Sequence, residues 1–186
     1  MNDENMRVRV TKRMLREGLL RCLKHTSIDK LSVSELCRES GVNRATFYNH
    51  YEIPKDILHE MSQEFSAEIK SIFEADPDGP VRERVTACLE TLLRHRENMK
   101  IELSSGADRY LAMVSSEIFM WTWSQRPEVV MRLGLKDQTE YELVAAAFSE
   151  AAYQLVKKWL TEDIRKTPSE IADIMMTVAE KLLGDL

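Results

Sequence analysis

SVSELCRESGVNRATFYNHY, residues 32–51, is the stretch whose reading decides the fold. Ser32-Val33-Ser34-Glu35 has the S-x-x-E spacing of a capping box. The serine hydroxyl caps an orphan backbone N–H of the first turn, and the glutamate reaches back to the cap residue. A short helix is predicted over 33–40. Gly41 then supplies the left-handed conformation in which helices often end. Asn43 is a good N-cap for a second helix, predicted over 44–50. The stretch reads as helix, tight turn, helix. Val33, Leu36, Cys37, Val42 and Phe47 are the apolar positions that lock the pair together. Arg44, Ala45, Thr46 and Asn49 are left to point outwards. Arginine can grip guanine bidentately, asparagine can grip adenine, and an alanine or threonine methyl can lie against a thymine methyl. An ordinary αα-corner has the same spacing, so the pattern alone leaves DNA recognition and plain packing both open.

Helices flank this stretch on either side. Leu15, Leu19, Cys22 and Leu23 recur at helical spacing, which predicts a helix over 7–26 with Arg13, Arg16, Arg21 and Lys24 largely off the apolar stripe. Pro54 suits a first helical turn, where its missing N–H costs nothing. Ile57, Leu58, Met61, Phe65, Ile69 and Ile72 carry one long helix to about Ala75. Asp76-Pro77-Asp78-Gly79-Pro80 breaks it and is the best linker in the chain.

The chain has 186 residues, 44% of them hydrophobic, enough for one domain or two small ones with a real core. Six Gly and five Pro argue against a loop-dominated or many-turned all-β chain. Residues 7–55 hold eleven Lys/Arg against five Asp/Glu, a formal +6, whereas the remainder is −11. A basic end on an acidic body suits contact with a polyanion. No apolar run is long enough to span a bilayer, and the acidic start MNDENMRVRV is unlike a signal peptide. Cys22, Cys37 and Cys88 are odd in number and without metal-like spacing, which fits a reduced cytoplasmic protein with buried thiols.

Residues 11–65 resemble the DNA-binding domain of the TetR family of transcriptional regulators. The resemblance lies in TKRMLREGLLRCL (11–23), LSVSELCRESGVNRATFYNHY (31–51) and KDIL (55–58). It implies an all-α fold. An N-terminal three-helix helix-turn-helix domain, residues 1–53, is joined by a long helix to a helical ligand-binding and dimerisation domain, residues 54–186. It also implies a homodimer that reads an inverted-repeat operator in double-stranded DNA, probing two major grooves about 34–36 Å apart. Arg44, Ala45, Thr46 and Asn49 become the base readers. Tyr48 and His50 match a Tyr-x-His pair that usually holds DNA phosphates, and Ser32 and Ser34 match small hydroxyl residues beside the DNA backbone. Phe47 and Tyr51 match core positions. One departure is local: a lysine that often starts the fourth helix is here Pro54, and the lysine comes one later, at Lys55. Lys55 could still reach a phosphate at that helix N-terminus.

Beyond the linker the pattern stays helical. Pro80 opens a helix with Val81, Val85, Cys88, Leu89 and Leu92 on one face, interrupted at Ser104-Ser105-Gly106. A markedly apolar helix is predicted over 108–124 and a short one over 128–133. Asp137-Gln138-Thr139-Glu140 and Thr167-Pro168-Ser169-Glu170 are further capping boxes, opening helices to about 163 and 183. The resemblance implies that these last two helices form a four-helix dimer interface, with Phe148, Ala151, Ala152, Leu155, Trp159, Ile174, Met175 and Val178 in it. It further implies a small apolar effector between the middle helices. Tyr110, Met113, Phe119, Met120, Trp121 and Trp123 suit such a ligand and equally suit a filled core.

Enzyme signatures are missing from the sequence: no Gly-rich phosphate loop, no G-x-S-x-G, no H-E-x-x-H. Cys22 and His25 have no further ligands near them in sequence, so no metal or cofactor is expected. The expected function is a repressor released by its effector. The alternative is a protein-interaction module on the same fold, a coactivator or recruiter acting through a partner protein.

Overall fold

The computed structural model describes residues 3–104, 116 and 134–183. Among them are eight α-helices and no strand: α1 (Asp3–Leu23), α2 (Val33–Ser40), α3 (Arg44–Tyr48), α4 (Pro54–Ala75), α5 (Val81–Arg94), α6 (Arg96–Ser104), α7 (Gln138–Thr161) and α8 (Pro168–Leu183). A 3₁₀ turn, Ile28–Lys30, lies between α1 and α2. The helices predicted over 108–124 and 128–133 lie outside the described residues, and with them Tyr110, Met113, Phe119, Met120, Trp121 and Trp123.

The chain divides into two compact units, Met1–Glu64 with Glu97–Tyr110 and Phe65–Arg96 with Leu111–Leu186. The first is built on one apolar cluster. Leu15, Leu19 and Leu23 of α1 meet Ile28 and Leu31, Leu36 and Cys37 of α2, Val42, Phe47 of α3, Tyr51, and Ile57 and Leu58 of α4. Ile101 of α6 packs against the same cluster. The periodicity that predicted α1 is thus the periodicity of its buried face. α1 stops at Leu23 rather than 26, because Lys24, His25 and Thr26 turn back to donate to Arg21 and Cys22 carbonyls. The fit of α1 on α2 is close at Gly18. A Cβ there would lie 2.6 Å from Ser40 Cβ and 2.8 Å from Ser40 Cα.

Polar side chains fasten α4 to α1 in the same unit. The Glu60 carboxylate accepts from Lys12, from Arg16 at 3.2 Å and from the Tyr51 hydroxyl. Arg16 also grips Glu64 with both ends of its guanidinium, at 2.6 and 2.5 Å. Partial burial opposes the Glu60 charge, but hydrogen bonds from Lys12, Tyr51 and Arg16 outweigh it and hold the carboxyl at about 2. Burial, and next the Glu60 carboxylate, push the Tyr51 phenol well above its usual range, so it stays a donor.

In the second unit α8 packs along α5. Arg82 Nε donates to Asp173 at 2.6 Å and its Nη2 to Ser169 at 2.8 Å. Leu89, Tyr153, Val156, Trp159, Leu160, Ile171 and Ala172 are buried. The Trp159 indole donates to the Lys166 carbonyl at 3.0 Å. Arg84, buried in the first turn of α5, lies 5.2 Å over the Phe73 ring and donates to the Pro77 carbonyl at 3.0 Å, fixing the linker.

Three further details differ from the sequence reading. The helix expected from Pro80 to 104 breaks at His95, whose φ of −98° and ψ of 12° end α5. The break sets the His95 ring edge-on to Phe65 and lets Arg96 donate to the Leu160 and Glu162 carbonyls at the end of α7, where a cation suits the helix dipole. The Asp137 cap accepts from Glu140 N at 2.9 Å, but the Glu140 carboxylate returns to Lys136 N rather than to Asp137 N. α3 ends at Tyr48, two residues early, because His50 N and Tyr51 N both donate to the Phe47 carbonyl and tighten the last turn. The boxes at Ser32 and Thr167 form reciprocally.

Gly18→Ala should destabilise the first unit. Alanine's helix preference, about 1 kcal/mol, is set against a clash with Ser40 backbone worth about 1–3 kcal/mol. Denaturant unfolding of the variant should show a net loss, and a rise in stability would contradict the packing. Glu60→Gln should cost about 2 kcal/mol at neutral pH. Because the folded carboxyl titrates low, its contribution is complete above pH about 4.5 and fades as pH falls to about 2. The gap between wild type and variant should therefore close over that window, and a gap independent of pH would show that Glu60 acts by shape instead.

Candidate nucleic-acid interface

The candidate interface centres on α3, a helix of only five residues. Gly41 makes the turn into it at φ 72° and ψ 10°. Val42 is buried, and the Asn43 side chain caps Thr46 N at 3.1 Å. Phe47 is fully buried and Tyr51 nearly so, with ring centroids 6.0 Å apart. Anchored by those two, α3 turns its other residues outward. Arg44, Ala45 and Asn49 are exposed and Thr46 is half-buried. Asn49 is the C-cap of α3, and its backbone N–H donates to the Ala45 and Phe47 carbonyls.

The residues expected to hold phosphates differ in what already engages them. Tyr48 is 55% exposed, its ring edge-on to Phe47 at 5.4 Å. His50 is half-buried, its ring 6.4 Å from that of Tyr51. Ser34 is exposed in the first turn of α2. The Ser32 hydroxyl accepts from Glu35 N at 3.2 Å and donates to the Glu35 carboxylate at 2.6 Å, so its proton is committed to the capping box. Those Ser32 hydrogen bonds, side chain before backbone, hold the Glu35 carboxyl below its usual range. Lys55 Nζ lies 2.6 Å from Asp29 Oδ1. The Asp56 carboxylate accepts from Glu52 N at 2.8 Å and Ile53 N at 2.9 Å, the donors just before α4.

Sequence reasoning passed over Lys12, Arg16, Glu60 and Glu64, which position the segment after α3 through Tyr51. A signal was present: Lys12 and Arg16 are four apart on one helix, and so are Glu60 and Glu64 on another. Asp29 and Asp56 left no such signal: Asp29 meets Lys55 from a distant stretch of chain, and Asp56 accepts from backbone donors just before α4. Of the residues expected in a dimer interface, Ile174, Val178 and Ala151 are exposed, and Phe148, Ala152, Leu155 and Met175 are half-buried. Trp159 is buried within its own unit, 3% exposed.

Among the described residues no group of three or more His, Cys, Asp or Glu could hold a metal ion, and no helix is long and apolar enough to cross a membrane. Cys22, Cys37 and Cys88 are free thiols, and burial pushes that of Cys88 up to about 12.

No family model matches the chain. No curated protein matches it either. Solved structures do. A TetR transcriptional regulator from Streptococcus agalactiae 2603V superposes with a TM-score of 0.68 at 18% identity, over 94% of this chain and 96% of that one. The dihydroxyacetone kinase operon activator DhaS superposes with a TM-score of 0.58 at 9% identity, over 93% of this chain and 96% of that one. The chain therefore has the all-α fold of a TetR transcriptional regulator along nearly its whole length.

Proposed function

We propose that the protein is a sequence-specific DNA-binding transcriptional regulator of the cytoplasm that binds an inverted-repeat operator as a homodimer. The observation that carries this reading is the exposed face Arg44, Ala45 and Asn49 on a helix pinned from behind by fully buried Phe47. A recognition helix needs this arrangement: base-reading groups outward, orientation fixed by the core. The basic balance of residues 7–55 supplies the attraction to the phosphate backbone. Tyr48, His50, Ser34 and, with their present partners exchanged, Ser32 and Lys55 set the register; Arg44, Ala45, Thr46 and Asn49 read sequence.

Dimerisation through α7 and α8 is supported by Ile174 and Val178, 37% and 38% exposed on a helix whose Ile171 and Ala172 are buried in their own unit. Repression relieved by a small apolar effector completes the proposal, with Tyr110, Met113, Phe119, Met120, Trp121 and Trp123 as candidate lining. The effector must favour the conformation that does not bind DNA, since equal affinity for both would shift nothing.

Selection of bound duplexes from a random pool at about physiological salt tests the reading, because nonspecific phosphate binding fades as salt rises. Enrichment of an inverted repeat is expected. A folded dimer that enriches nothing would defeat the proposal in favour of a module acting through a partner protein. On the selected duplex, Arg44→Ala should cost about 1–3 kcal/mol and relax the preference at one base pair. Tyr48→Phe should weaken all duplexes to similar degrees. If Tyr48→Phe altered the preference instead, the division between base readers and phosphate holders would be wrong.

A further inference from the structure

The corner where α4 begins carries its own acids at the places a phosphate would use. Lys55 lies in the first turn of α4 and is paired with Asp29 at 2.6 Å. The N–H groups of Glu52 and Ile53, which an incoming anion would otherwise meet, are held by Asp56. Pro54 has no N–H to offer. Both partners of the ion pair sit on anchored backbone. Asp29 lies between Ile28 and Leu31, both buried in the core cluster, and Lys55 lies between buried Pro54 and fully buried Ile57. The pair is therefore positioned by the core of the first unit rather than by a chance meeting of two long side chains. Asp29 remains 70% exposed, so its charge also faces whatever approaches Lys55.

We propose that Asp29 is a built-in competitor of DNA phosphate: it holds Lys55, and a duplex gains the Lys55 contact only by displacing it. The inference rests on the DNA-binding reading above and names a restraint on that site. The restraint lowers affinity for every sequence alike, because it acts on a backbone contact and not on a base. It leaves discrimination by Arg44 and Asn49 intact while limiting residence on arbitrary DNA.

A double-mutant cycle on the full chain tests it, using the selected duplex at about 0.1 M salt with wild type, Asp29→Asn, Lys55→Ala and the combination. Asp29→Asn should bind about threefold to tenfold tighter, and its affinity should fall more steeply with salt, by about one phosphate contact. Lys55→Ala should cost twofold or less in the wild type but about threefold to tenfold in the Asp29→Asn background. Asp29→Ser should behave as Asp29→Asn does, and matching thermal unfolding of all variants separates binding from folding. Equal cost of Lys55→Ala in both backgrounds, with Asp29→Asn no tighter than wild type, would overturn the competitor role and leave the DNA-binding reading standing. If none of the four proteins binds any duplex, that reading falls and the proposal falls with it.

Discussion

A helix of five residues has no stability of its own in water, where even good helix formers need about 12–15 residues to be more than marginal. α3 therefore depends on one interaction, the burial of Phe47 in the cluster shared by α1, α2 and α4. Removing so large a buried side chain typically costs about 3–5 kcal/mol. The local devices around α3 all serve that burial. Gly41 turns the chain without strain, Asn43 satisfies an orphan donor, and the tightened turn after Tyr48 delivers Tyr51 to the same core. The close fit of Gly18 against Ser40 sets how near α1 comes to α2, and so where the cluster lies beneath α3.

Electrostatics divides the first unit into two kinds of ion pair. The Lys12, Arg16, Glu60 and Glu64 group is partly shielded and shares hydrogen bonds with Tyr51, the circumstance in which charge pairs contribute to stability. The Asp29–Lys55 pair is more exposed and contributes little to folding. A weak, exposed pair is energetically cheap to exchange. That difference makes the first group a structural fastening and the second the exchangeable pair on which the proposed restraint rests.

Much of this was legible in the sequence because capping and turn chemistry are local. Ser32, Gly41, Asn43, Pro54 and Thr167 mark helix ends that lie where they were read. Leu15, Leu19 and Leu23 of α1 and Ile57, Leu58 and Ile69 of α4 are buried as their spacing predicted, whereas Ser62, Ser66 and Phe73 of α4 are buried without having been read. The larger misses, unlike the local shifts at the ends of α1 and α3 and at the Asp137 cap, depend on residues distant in sequence. The break at His95 is fixed by Phe65 and by carbonyls at the end of α7, and no breaker residue announces it. The hold of Glu60 on Tyr51 and of Asp29 on Lys55 joins elements whose approach only the folded core decides. At the candidate interface, residue types were legible while prior engagement was not: Ser32 and Lys55 look like free donors in sequence and already have carboxylate partners.

The two units interleave along the chain rather than following one another. Boundaries between compact units usually fall in flexible linkers. Here one falls inside α4, after Glu64, and another beside the His95 break, after Arg96. α4 is continuous helix from Pro54 to Ala75. The Arg16 grip on Glu64 ends at the boundary after Glu64. Within the first unit, Arg16 links that grip to the Glu60 carboxylate, which holds Tyr51, the residue next to His50 and three beyond Tyr48. The fastening of Tyr51 therefore lies wholly inside the unit that carries α3, and Glu64, its outermost member, is the last residue of α4 in that unit.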